Sequence, residues 1–141
     1  MSIIKLSISF ILLLFLSSCG SKVSEENVES CFLDTPVNGS QVHLSQDFKI
    51  VGWAYDKNSL SSPEHVSVEL NSNETKVFAA KRVRRPDVVK SFNTPGAEMS
   101  GYEVVIPANS LVVGHYEITI LQETPEHNLK CYPNHIIEIV D

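Results

Sequence analysis

The chain has 141 residues, with 11 lysines and arginines against 17 aspartates and glutamates, and a formal net charge of -6. The acidic balance excludes nucleic acid as an expected partner, and the length leaves room for one ordinary domain beside a targeting segment.

The chain opens with Lys5 and an apolar run over residues 8–16, too short to span a membrane, which reads as an export signal. The run ends in Leu16-Ser17-Ser18-Cys19. Two small residues before a cysteine at this place resemble the lipobox of bacterial lipoproteins. The resemblance implies cleavage before Cys19, a diacylglycerol thioether on its sulfur, and acylation of the new amino terminus, with palmitate among the acyl groups. The alternative is an ordinary signal peptide with a chance cysteine. Gly20 stands where inner-membrane lipoproteins of enteric bacteria carry aspartate, so the expected address is the outer membrane of a Gram-negative envelope. Residues 1–18 are thus the signal peptide, 19–30 the lipidated cysteine and tether, and 31–141 the folded domain. The tether is polar and aperiodic, and as a flexible coil it spans about 18 Å.

Short alternating segments follow, at 31–34, 47–55, 66–70, 75–83, 102–106, 115–121 and 129–140. Turn signals such as Asn38-Gly39 and Asn71-Ser72-Asn73 separate them. The longest irregular stretch, 84–101, has room for one helical turn near 87–90. Pro133 requires the last strand to lie at an edge or to bulge. About seven short strands at this spacing predict an all-β fold, an antiparallel β-sandwich. In the segment 47–55, Ile50, Gly52 and Ala54 share one face and Val51, Trp53 and Tyr55 the other. Trp53, the one tryptophan, is expected to fix the centre of the core, and Gly52 to let a ring or another backbone come close.

Two motifs make the expected sandwich immunoglobulin-like. Leu111-Val112-Val113-Gly114-His115-Tyr116 resembles the tyrosine corner of such domains. Gly52-Trp53-Ala54-Tyr55-Asp56 together with Arg85-Pro86-Asp87-Val88 resembles bacterial immunoglobulin-like domains of exported and surface proteins. The resemblance covers roughly residues 31–141 and implies scaffold roles for Trp53, Tyr116, Arg85 and Asp87. With Cys19 lipidated, Cys31 and Cys131 are an even pair in an exported chain and read as one disulfide, the alternative being two buried thiols. Counting strands up and down sets the first and last side by side and parallel, with both cysteines near one end.

Residues suited to catalysis are sparse. His43, His65, His115, His127 and His135 are scattered without metal-ligand spacing, and no phosphate loop or nucleophile signature occurs. No metal and no cofactor is expected. A carboxylate pair assembled from separate loops, such as Asp56 with Asp87, would suit glycan chemistry, the alternative being plain surface acids. The run Lys81, Arg82, Arg84 and Arg85 stands out in an acidic chain. Lys81, Arg82 and Arg84 read either as a solvated strand end or as an anion-binding surface. The expected function is a non-catalytic binding module at the envelope, held by its lipid anchor, with an anionic lipid, a glycan or an envelope protein as partner. A structural accessory that scaffolds an envelope or secretion assembly through a sheet edge is the alternative.

Overall fold

A computed structural model of the chain describes residues 23–25, 31–57, 59–124 and 128–141; the expected signal peptide and Cys19 lie outside them. Ten strands are described: β1 (Val23–Glu25), β2 (Cys31–Thr35), β3 (Gln41–His43), β4 (Phe48–Ala54), β5 (His65–Asn71), β6 (Thr75–Ala79), β7 (Lys81–Val83), β8 (Gly101–Ile106), β9 (Gly114–Glu123) and β10 (Asn128–Val140). They form two sheets. The front sheet has the order β2-β4-β8-β7; the back sheet runs β1-β10-β9-β5-β6, with β3 also on β10. This is the all-β sandwich that the alternating segments predict.

The strand count exceeds seven for two reasons. The chain changes sheets at two places, once beyond the expected strand 31–34 and once within the expected strand 75–83. The first change follows Pro36, which has no N–H for the ladder and ends β2 as the sequence predicts. The chain then turns at Asn38-Gly39, where Asn38 Oδ1 accepts from the Ile136 N–H and the Gly39 N–H donates to the Ile136 carbonyl, both at 2.8 Å. That turn delivers β3 to the back sheet, parallel to the end of β10. The expected strand 75–83 divides likewise at Ala80: β6 pairs with β5, and β7 pairs with β8. The second reason is β1. Residues 23–25 were expected in the flexible tether, yet their backbone pairs in parallel with residues 128–130, whose outer edge is otherwise open.

Alternation decides what faces inward. Ile50, Ala54, Tyr102, Val104 and Ile106 of the front sheet meet Val68, Leu70, Ile118, Ile120 and Ile137 of the back sheet in one buried cluster. Trp53 is not part of it. Gly52 takes the inward position instead, and the ring of Tyr102 from β8 crosses the space that a side chain there would fill. The Tyr102 hydroxyl then donates to the Phe32 carbonyl at 3.0 Å, tying β8 to β2 over the intervening strand. Burial pushes the pKa of that phenol well up, helped by the nearby Asp34 carboxylate.

The disulfide Cys31–Cys131 is present, with the Cα atoms 6.2 Å apart. It joins β2 of the front sheet to β10 of the back sheet. The expected side-by-side arrangement of the Cys31 strand and the last strand therefore fails, because the chain changes sheets at Pro36; the parallel neighbour of the end of β10 is β3, which lies outside the expected segments. Pro133 lies where the β9–β10 register shifts, between Cys131 and His135, so the strand bulges there as its missing N–H requires.

Tyr116 is buried, and its hydroxyl both accepts from the Val112 N–H and donates to the Val112 carbonyl, each at 3.1 Å. Tyr116→Phe keeps the ring and strips these bonds, so a stability loss of about 0.5–1.5 kcal/mol is expected in denaturant melts. A variant as stable as the parent would show that this corner contributes no more than packing.

Candidate functional site

Register sets the ends of the sandwich. Cys31 pairs with Ala54, Trp53 with Gly101, and His65 with Glu123, so β2, β5, β8 and β10 begin, and β4, β7 and β9 end, at one end of the molecule. The chain enters there through β1, and the disulfide lies there too. Loops 55–64 and 84–100 cap this entry end.

On the outer face of the front sheet, beside the entry end, stands a row of aromatic rings. Trp53 is directed outward by the same alternation that buries Ile50, Gly52 and Ala54. It is paired across the ladder with Phe32, and the two rings lie 6.3 Å apart and within 14° of parallel. On its other flank Phe92 meets it edge to face, at 5.2 Å and 61°. Phe32 and Phe92 are each 51 % exposed, while Trp53 between them is half-buried.

Phe92 is brought there by a short helix, α1 (Pro86–Phe92). Pro86 suits its first turn, where no N–H is needed, and Asp87 complements the helix start. Asn93, in the left-handed conformation at φ 50°, ends it. The buried Val88 seats α1 on the sheet against Tyr55 and Ala97, forming a second small core with Trp53 and Val89 at its border. Trp53 and Tyr55 thus pack with the Arg-Pro-Asp-Val loop as a unit beside the main core, while Ala54 between them faces into it.

Arg85 fastens that unit. Its guanidinium donates to both carboxylate oxygens of Asp87, at 2.9 and 2.7 Å, and to Asp34 of β2 at 2.6 Å. The hydrogen bonds and charge of Arg85 hold the Asp87 carboxyl down to about 2, and those of the two carboxylates push Arg85 up. Gly101 allows this arrangement, since a methyl there would strike the Val83 carbonyl and the stem of Arg85.

Two shallow clefts flank Phe92. One, of about 290 Å³, has Phe32, Asp34, Trp53, Arg85 and Asp87 on its walls. The other, of about 260 Å³, is lined by Trp53, Tyr55, Lys57, Leu60 and Thr94. Burial raises the pKa of Tyr55.

The basic run is distributed rather than pooled. Arg82 is partly buried and donates to the carbonyls of Glu64 (3.1 Å) and Met99, tying the two capping loops together. Its burial lowers its pKa. Arg84 is exposed and paired with the Glu98 carboxylate. Lys81 is exposed, on the other side of β7 from Arg82. Of the carboxylates weighed for glycan chemistry, Asp56 is fully buried and accepts from Ser59 Oγ at 2.6 Å, whereas Asp87 is exposed and bound to Arg85. Among the described residues no cluster of histidine, cysteine and carboxylate is arranged to hold a metal.

The sequence reading singled out Trp53, Arg85 and Asp87, which the structure brings together, but missed Phe32, Phe92 and Leu60. Phe32 carried a usable signal. It sits between the inward Cys31 and Leu33, so alternation places it on the outer face.

No protein-family model and no curated protein matches the chain. Among solved structures, the endo-beta-1,4-mannanase from Thermotoga petrophila contains a region of like fold, with a TM-score of 0.53 and 12 % identity, covering 79 % of this chain. The chain spans 20 % of the mannanase, and the likeness is one of fold.

Proposed function

We propose that this chain is an exported lipoprotein, anchored through Cys19, whose single immunoglobulin-like sandwich acts as a non-catalytic binding module at the cell envelope. Its expected address is the outer membrane of a Gram-negative bacterium. The immunoglobulin-like assignment is supported by the first strand dividing between the sheets as β2 and β3, by β3 lying parallel to the last strand, and by the Tyr116 hydroxyl bonds. One observation carries the binding role: the half-exposed Phe32–Trp53–Phe92 row, fixed in place by the Arg85 clamp. Apolar rings left open on a rigid support mark interaction surfaces rather than core. The ligand classes that suit the anchor and these rings are membrane lipid and envelope glycan.

Cys19→Ala is expected to leave an unprocessed precursor, because no acyl acceptor remains. Wild-type protein should carry radiolabelled fatty acid and partition with membranes. A wild-type chain that takes up no label would remove the anchor from this reading. Trp53 reports on the binding role, and its emission should shift when the lipoprotein meets its lipid or glycan. No shift with either favours the scaffolding alternative, which would use the open edge of β2 or β6.

A further inference from the structure

We infer that the Phe32–Trp53–Phe92 face is a membrane-docking surface: these rings, with Leu60, enter the interfacial layer of the bilayer that holds the lipid anchor. The inference rests on the reading of Cys19 as the anchored residue and names the partner of the site described above.

The length of chain between anchor and fold carries the argument furthest. Were residues 20–30 a free coil, the domain could stand well away from the membrane. The pairing of Val23 with Asn128 removes that freedom, since only residues 20–22 separate Cys19 from the first paired residue. Four residue steps reach at most about 14 Å when fully extended. Val23 is also at the entry end of its ladder, because it pairs with the first residue of β10. The entry end is therefore held within about 14 Å of the anchored residue, so it stays beside the membrane surface instead of standing well away from it.

The exposed apolar residues of that end match such a neighbour. Among the described residues every exposed phenylalanine, leucine and methionine is there: Phe32, Leu60 (65 % exposed), Phe92 and Met99. The exposed large apolar residues described elsewhere are valines and one isoleucine. Aromatic rings with a polar border are the side chains that settle at a membrane–water boundary. Lys57 lines the cleft beside Phe92, and Lys90 is exposed on α1, so cations flank the rings where lipid phosphates would lie. The carboxylates of Asp34 and Asp87 share the Arg85 guanidinium, which offsets their repulsion from an anionic surface.

The geometry favours lipid over glycan. The Phe92 ring stands at 61° to Trp53, so the three rings offer no common flat platform for a sugar ring. The polar groups in the cleft beside Phe32 are largely occupied with one another through Arg85.

The sole tryptophan is at the centre of the face and makes the test direct. Full-length lipidated protein is reconstituted into phosphatidylethanolamine–phosphatidylglycerol vesicles, with or without brominated acyl chains, and vesicles are separated by flotation. Protein should float, Trp53 emission should fall strongly in the brominated vesicles only, and soluble iodide should quench it weakly. Phe32→Ser with Phe92→Ser should still float through the anchor while regaining most of the lost emission. Wild-type protein that floats with Trp53 unquenched by bromine and open to iodide overturns the docking and leaves the anchor reading intact. Protein that fails to float overturns the anchor reading and this inference with it. An emission shift with soluble envelope polysaccharide, without bromine quenching, assigns the face to glycan and overturns the docking.

Discussion

Gly52→Ala is expected to destabilise the sandwich by about 3 kcal/mol or more, the sum of an overpacked core position and a lost buried hydrogen bond. A methyl at residue 52 would fall well inside 3 Å of the Phe32 carbonyl oxygen and of the Tyr102 hydroxyl. The first is backbone of a paired strand and cannot move without opening the β2–β4 ladder. The second could retreat only by giving up its bond to that same carbonyl. The two ways of relieving the clash thus damage the same junction. Denaturant unfolding followed by far-ultraviolet circular dichroism measures the effect. A loss under about 1 kcal/mol, well below the usual overpacking penalty, would mean that Tyr102 does not press on this position in solution.

Reduction of Cys31–Cys131 should have an effect of similar size. The bond closes a loop with a sequence separation of 100 residues, and native disulfides in small exported domains typically contribute about 2–5 kcal/mol. For a domain of this size that corresponds to a fall in melting temperature of roughly 10–20 °C. Both sulfurs are buried, so reduction should need denaturant or long exposure to reductant. β2 is an edge strand of the front sheet with β4 as its ladder neighbour, which makes it the strand most affected. Melts that coincide before and after reduction, with two free thiols titrated in the reduced sample, would show that packing alone joins the sheets.

Alternation made most of the architecture legible. The segments 66–70, 102–106 and 115–121 became β5, β8 and β9 because each has one apolar face whose partners lie in the opposite sheet. The sheet changes were not legible. A strand that leaves one ladder for another keeps its alternation, so Ala80 looks like any other strand residue. Trp53 misled for a related reason. Its size suggested the core, but the small side chains at Gly52 and Ala54 face inward, and Tyr102 of a neighbouring strand supplies the missing volume. Two small residues on one strand face are a signal that a large side chain must come from elsewhere. Nothing local says from where. The candidate site was half legible: the motif pointed to Trp53 and Arg85, while Phe92 depends on a helix too short for periodicity to reveal.

The position of the disulfide has a mechanical consequence. A pull on the amino-terminal side of the domain first loads the β1–β10 pairing along its length, so its three register pairs must shear together. Once they yield, tension reaches Cys31 and crosses directly to Cys131 through the sulfur bridge. If the opposing load acts at Asp141, the force continues along β10 and never enters the chain between the two cysteines. Extension is then limited to the segments outside the bridge, and the aromatic face and its Arg85 clamp stay folded under a tension that strips the ends.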